Sequence, residues 1–242
     1  MFSIRNLTRF TLLLSLFVST ASFSASKKND PHYTAKGFFD IHVCNWPDRP
    51  PFLLALFSTL QFDEIKSVKI SAPGNTIIGQ LDLTKFRSFI TKKKQLKKAF
   101  IRHFPLPKPV RDGWYKATIT LKDNTQLIAK DFVQHKLLSI AANPTPQNNA
   151  SDIKIPKTLH WAAIPDARFY QVFITNLWQD GKVIHTSKLL KTNSITLPKN
   201  LLEKGGLYSW RIHARDINED IKFGDFNHGS LSPKLTFSIA EY

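Results

Sequence analysis

The stretch FYQVFITNLWQDGKVIHT, residues 169–186, decides the fold. Tyr170, Val172 and Ile174 alternate with their neighbours, which is the period-two pattern of a strand with one buried face. Asp180-Gly181 follows, a dipeptide suited to a two-residue hairpin turn because both central residues there take positive φ. Residues 182–186 (KVIHT) then return as a second strand. Working outward, residues 207–215 (LYSWRIHAR) alternate again, placing Tyr208, Trp210, Ile212 and Ala214 on one face. Short strands are also expected at 158–161, 194–197 and 235–239. Several short strands separated by turn signals describe an antiparallel sandwich rather than alternating strands and helices.

These residues resemble a known family. Leu159-x-Trp161 followed by Ile164-Pro165-Asp166-Ala167-x-x-Tyr170-x-Val172 looks like the B–C region of bacterial fibronectin type III domains. Ile195-x-Leu197-Pro198, Leu201, Gly205 and Tyr208-x-Trp210-Arg211-Ile212-x-Ala214 resemble their E–F corner and F strand. The resemblance covers residues 153–242. It implies that Trp161 is the tryptophan between the sheets and Tyr208 the corner tyrosine, its hydroxyl bonded back to the turn. It implies a binding or spacing role and no chemistry.

Upstream, residues 141–152 hold two prolines within three positions and no hydrophobic periodicity, the composition of a linker. The first half, 27–140, opens with a strand at 37–45. Asp112-Gly113-Trp114-Tyr115 starts an alternating run whose inward face is Tyr115, Ala117, Ile119 and Leu121. The Asp-Gly-x-Tyr start resembles the corner before a late strand in immunoglobulin-like domains. The expected architecture is therefore mainly all-β, two tandem β-sandwich domains of immunoglobulin or fibronectin type III-like kind. Residues 52–62 (FLLALFSTLQF) are apolar with weak helical spacing, so the first domain has room for a short helical insertion.

The N-terminus reads as an address. Arg5 and Arg9 precede a short apolar run at 10–18, and small residues follow to Ser26. This is the three-part pattern of a secretory signal over residues 1–26, and the run is too short to span a bilayer. The expectation is an exported protein, periplasmic or extracellular, with no transmembrane segment in the mature chain. Cys44 is the single cysteine, which excludes a disulfide scaffold and a cysteine zinc cluster. It is expected to be buried or to join a partner chain.

The chain carries 34 Lys and Arg against 18 Asp and Glu, a net charge of +16. Residues 27–150 hold 20 basic and 9 acidic side chains, and residues 151–242 hold 12 and 9, so the basicity belongs to the first half. Its densest point is residues 84–100 (TKFRSFITKKKQLKKAF). Here Phe86, Phe89, Ile90, Leu96 and Phe100 fall on one helical arc, but Lys93 and Lys97 share it. A loop followed by a strand from Lys98 to Phe104 competes with the helix. Lys92, Lys93, Lys94, Lys97, Lys98 and Arg102 form a candidate site for an anionic ligand: acidic polymer or lipid phosphate. A solvated basic loop is the alternative. No recognition motif for nucleic acid surrounds the stretch.

Catalytic patterns are missing. There is no phosphate-binding glycine loop, no Gly-x-Ser-x-Gly elbow and no paired histidines at metal-ligand spacing. No cofactor is expected. Asp216-x-Asn218-x-Asp220 resembles the start of a calcium loop, but Ile221 stands where that loop needs glycine and Asn227 where it needs glutamate. An irregular calcium-bracing loop and a solvated acidic loop both remain open. The reading is a non-catalytic binding or assembly protein of a cell envelope, with protein or anionic envelope polymer or lipid as partner. Exposed edge strands offer it strand addition to a partner sheet. An enzyme or enzyme accessory acting on an envelope polymer, and a structural spacer, are the alternatives.

Overall fold

Strand follows strand along the chain. The computed structural model describes residues 30–217 and 226–242, so the expected signal segment, Asn218 and Asp220 lie outside the described residues. The first half contains β1 (Tyr33–Thr34), β2 (Gly37–Asn45), β3 (Phe52–Thr59), β4 (Ile65–Ser71), β5 (Ile77–Gln80), β6 (Phe86–Ile90), β7 (Leu96–Pro105), β8 (Gly113–Leu121) and β9 (Gln126–Val133). The second half contains β10 (Ala150–Ile153), β11 (Thr158–His160), β12 (Phe169–Asn176), β13 (Lys182–Thr186), β14 (Ser194–Thr196), β15 (Leu207–Arg215), β16 (His228–Leu231) and β17 (Leu235–Ile239). Two short 3₁₀ turns, Phe62–Glu64 and Pro73–Asn75, are the helical elements among the described residues.

The first half is a sandwich. Strands β2, β3, β7 and β6 form one sheet, and β5, β4, β8 and β9 the other. Phe39, Ile41 and Val43 of β2 and Leu53, Ala55 and Phe57 of β3 meet Val68, Ile70, Tyr115, Ala117 and Ile119 in one buried core. The helical readings of 52–62 and 84–100 are corrected: the first is β3, and the second is the hairpin β6–β7. Strand β3 lies between β2 and β7 and is covered on both faces, so its sequence is continuously apolar and lacks alternation.

The second half has its own core. Strand β11 pairs with β14, while β17, β15, β12 and β13 pair in turn, with β10 added parallel to β17. Trp161, Tyr170, Val172, Ile174, Tyr208, Trp210, Ile212 and Phe237 fill the space between. Asp180 and Gly181 have φ of 51° and 69° at the turn joining β12 to β13. The Glu203 N–H donates to Tyr208 Oη at 2.9 Å, and a Cβ at Gly206 would fall 2.4 Å from that oxygen, so the corner needs glycine there. Tyr208→Phe should cost about 1–2 kcal/mol by leaving the Glu203 amide unpaired, measured by urea unfolding; a change near zero would show the bond to be immaterial.

The halves share a sheet. Strand β16 pairs antiparallel with β15 and parallel with β2, setting His228, Gly229 and Ser230 opposite Val43, Cys44 and Asn45. The connection is pinned to this seam: Ser230 Oγ donates to the Ser139 carbonyl at 2.8 Å, and Asn45 Nδ2 to that of Leu138 at 2.9 Å. Within residues 141–152, Ala141 and Ala150 pack on the second core and Thr145 bridges His160.

Candidate functional site

The basic stretch becomes the β6–β7 hairpin, and strand geometry divides its lysines. Register places Phe86 opposite Phe100 and Ile90 opposite Leu96. Lys92, Lys93 and Lys94 occupy the turn, which Thr91 fastens. The Thr91 N–H donates to the Gln95 carbonyl, the Lys94 N–H to the Thr91 carbonyl, and the Gln95 N–H to Thr91 Oγ1, at 2.9, 2.9 and 3.1 Å. Lys94 takes φ 58° to close it.

Lys97 and Lys98, neighbours on β7, point to opposite faces because successive side chains on a strand alternate. Lys98 turns toward the first core's rim, its Nζ 3.8 Å from the Phe62 ring centre and 4.1 Å from that of Phe86. Arg102, on the same face, donates to the Gln80 carbonyl at 2.6 Å. The structure thus keeps Lys92, Lys93 and Lys94 together at an exposed tip. It commits Lys98 and Arg102 to cation–π and hydrogen-bond contacts nearby. Among the described residues no carboxylate forms an ion pair with the three tip lysines.

Asp216 has a structural task. Its Oδ1 accepts the N–H groups of Ile217, Asn227 and His228, and its Oδ2 lies 2.6 Å from His228 Nδ1. The carboxylate therefore clamps both ends of the segment leading into β16. Among the described residues no group of three potential ligands gathers for a metal.

Tyr115, Trp161, Tyr170, Tyr208 and Trp210, expected as core, are all buried. Cys44 is buried as well, and burial pushes its thiol far above the usual range. It lines a cavity of about 200 Å³ at the seam with His42, Trp46, Arg87, His213 and Phe226. His42 Nδ1 sits 2.9 Å from Asp40 Oδ2, and burial, then the charge of His213 and Arg215, holds His42 well below the ordinary imidazole range. A cysteine nucleophile needs a lowered pKa, and the environment here works in the opposite direction.

A second cationic surface escaped the sequence reading. Strands β8 and β9 turn Trp114, Lys116, Lys130, Phe132 and Ile128 outward. Trp114 and Phe132 stand directly opposite and meet edge-on at 5.4 Å, and Lys116 stands opposite Lys130. The signal was present: once Tyr115, Ala117 and Ile119 are assigned inward, the intervening positions must face out.

No family model matches the chain, and no curated protein matches it. Solved structures with partial likeness include the Bacteroides ovatus mixed-linkage glucan utilization protein SGBP-B in complex with a mixed-linkage heptasaccharide, at 14% identity and TM-score 0.23. That match covers 81% of this chain and 42% of the other. Latent PorU from Porphyromonas gingivalis matches at 12% identity and TM-score 0.28, over 86% and 20%. A group of titin domains matches at 13% and 0.25, over 82% and 66%. The chain spans less than two-thirds of the length of each. Likeness at this level carries no functional argument, and the sandwich rests on its own strands and cores.

Proposed function

We propose that this protein is a non-catalytic, exported binding module of the cell envelope that meets an anionic partner through the tip of the β6–β7 hairpin. In this reading it consists of two sandwich modules joined by β16. The second is of fibronectin type III kind, supported by the pairing of β11 with β14 against a sheet of β17, β15, β12 and β13. The observation that carries the binding role is the tip itself. Three adjacent lysines sit on a turn fixed by three hydrogen bonds of Thr91, so the charge is presented by an ordered element. A pre-formed cationic surface binds without the cost of ordering a loop.

Each lysine near an anionic surface contributes about 1 kcal/mol, so exchanging all three for Gln should weaken binding about a hundredfold at low salt. Salt-gradient elution from a sulfated polysaccharide resin measures this. Elution of the triple variant at the wild-type salt concentration would refute the assignment.

A further inference from the structure

The tip lysines adjoin an open sheet edge. Strand β6 pairs with β7 on one side and ends the sheet on the other. The Thr91–Gln95 pair is hydrogen-bonded across the turn. Antiparallel partners alternate between bonded and non-bonded pairs. Phe89–Lys97 and Arg87–Ala99 therefore exchange bonds, while Ile90–Leu96, Ser88–Lys98 and Phe86–Phe100 do not. The N–H and C=O groups of Phe86, Ser88 and Ile90 consequently point away from β7. Among the described residues nothing hydrogen-bonds to them.

Native edges are usually blunted by charge, proline, a bulge or shortness. This one is regular over five pairs and carries only Arg87 as a charge. Phe86 and Ile90 are 44% and 63% exposed. A depression of about 280 Å³, walled by Lys85, Phe86, Arg87, Ala99 and Ile101, lies beside it.

We infer that β6 is the docking edge for an extended, acidic segment of another protein, which adds as a strand to the sheet. The inference rests on the reading of the hairpin as a contact for an anionic partner, and it names that partner's class. The occupant's alternate side chains meet two environments: Phe86, Ser88 and Ile90 on one face, with Lys98 held against the Phe86 ring, and Lys85, Arg87 and Phe89 on the other. The complementary segment therefore alternates apolar and acidic residues, its charge continuing to Lys92, Lys93 and Lys94. Strand addition supplies affinity through the backbone, and side-chain pockets supply specificity. A second copy of this chain is disfavoured, because pairing β6 with itself brings two sets of these cations together.

The test uses the full chain and a short synthetic peptide alternating Glu and Val, in two forms: unmodified, and N-methylated on alternate amides with the charge unchanged. By fluorescence anisotropy the unmodified peptide should bind, and methylation should weaken it about tenfold or more, since several backbone bonds are lost. Ser88→Pro should reproduce that loss, because the Ser88 amide takes no part in the β6–β7 ladder and edge strands tolerate proline. Hydrogen exchange should show Phe86, Ser88 and Ile90 slowed on binding. Equal binding of the two peptides would overturn strand addition and leave a purely charge-based contact. No binding of either peptide by a protein still retained on sulfated resin through its tip lysines would overturn the inference while sparing the proposed function. Loss of both would remove the two together.

Discussion

Trp210→Ala should lower stability by about 3–5 kcal/mol, among the largest losses a single truncation can produce. Trp210 is completely buried and stands at the middle of the second core, its ring 6.2 Å from that of Trp161. The partners opposite it on β12 and β17, Ile174 and Leu235, are held by backbone ladders on both sides of β15 and cannot collapse into the space. Its indole N–H has no hydrogen-bond partner among the described residues, so the cost is one of cavity and lost contact. Trp210→Phe, which keeps most of the volume, should therefore cost well under half as much. For a unit of this size the alanine variant should melt about 10 °C or more below the parent. Trp178, 71% exposed, is the control, and its replacement by alanine should stay within about 0.5 kcal/mol. Urea unfolding of the three variants decides the matter. A Trp210→Ala loss under about 1 kcal/mol would mean that the second core does not close on this ring.

The inward place of Trp210 was legible in the sequence. The alternation of 207–215 assigns Trp210 inward with Tyr208 and Ile212, and Asp180-Gly181 marks the turn just beyond Trp178. Where a strand has one wet face, its pattern survives in the sequence, as it does in β8 and β12. Where both faces are covered the pattern vanishes, and this is why β3 read as weakly helical. Strand β2 was legible as a strand over 37–45, but its second face was not: it buries Asp40 and His42 beside Phe38 and Cys44, and alternation cannot separate two buried faces. The β6–β7 turn carries lysine where the left-handed conformation usually selects Gly or Asn, so no turn signal stood there. The charge of the candidate site was therefore legible. Its division between tip and faces was not, because that depends on the register of the hairpin. The seam formed by β16 and β2 was beyond reach of local pattern, since it joins segments far apart in sequence through three residue pairs.

The seam makes stability depend on pH in two opposed ways, and the acid side has the larger effect. His213 is half-buried against Arg215 and Phe226, its ring centre 5.5 Å from that of the phenylalanine in an edge-on contact and its Nε2 enclosed without a partner among the described residues. Burial, then the charge of Arg215, lowers its pKa to about 3. In the unfolded chain the same imidazole titrates near 6.5. Between those values the unfolded state binds a proton that the folded state refuses, so stability falls as pH falls. A stability loss of about 2–3 kcal/mol is expected on going from pH 6.5 to 4.5. His42, facing Asp40, His213, Arg215, His103 and His228, is lowered for the same first reason and adds loss of the same sign. His228 acts in the other direction. Its Nδ1 lies 2.6 Å from Asp216 Oδ2 and its Nε2 2.6 Å from the Gln134 carbonyl, two acceptors that only the imidazolium can serve together. Burial opposes the charge, but these bonds outweigh it and raise the pKa. Its contribution is therefore complete below 6.5 and is lost as pH rises through the raised value. Denaturant unfolding from pH 4.5 to 8.5 separates the two. His213→Leu should flatten the acid limb and leave the alkaline limb, whereas His228→Gln should do the reverse and lower stability most near pH 5–6. If the parent protein held constant stability from pH 6.5 to 4.5, a neutral His213 imidazole at the seam would be the wrong description. If His213→Leu kept the full acid loss, the source would lie with His42 or with carboxylates instead. The opposed limbs place the stability maximum where His213 is neutral and His228 still charged, so the seam joining the two halves is firmest close to neutrality and yields first on the acid side.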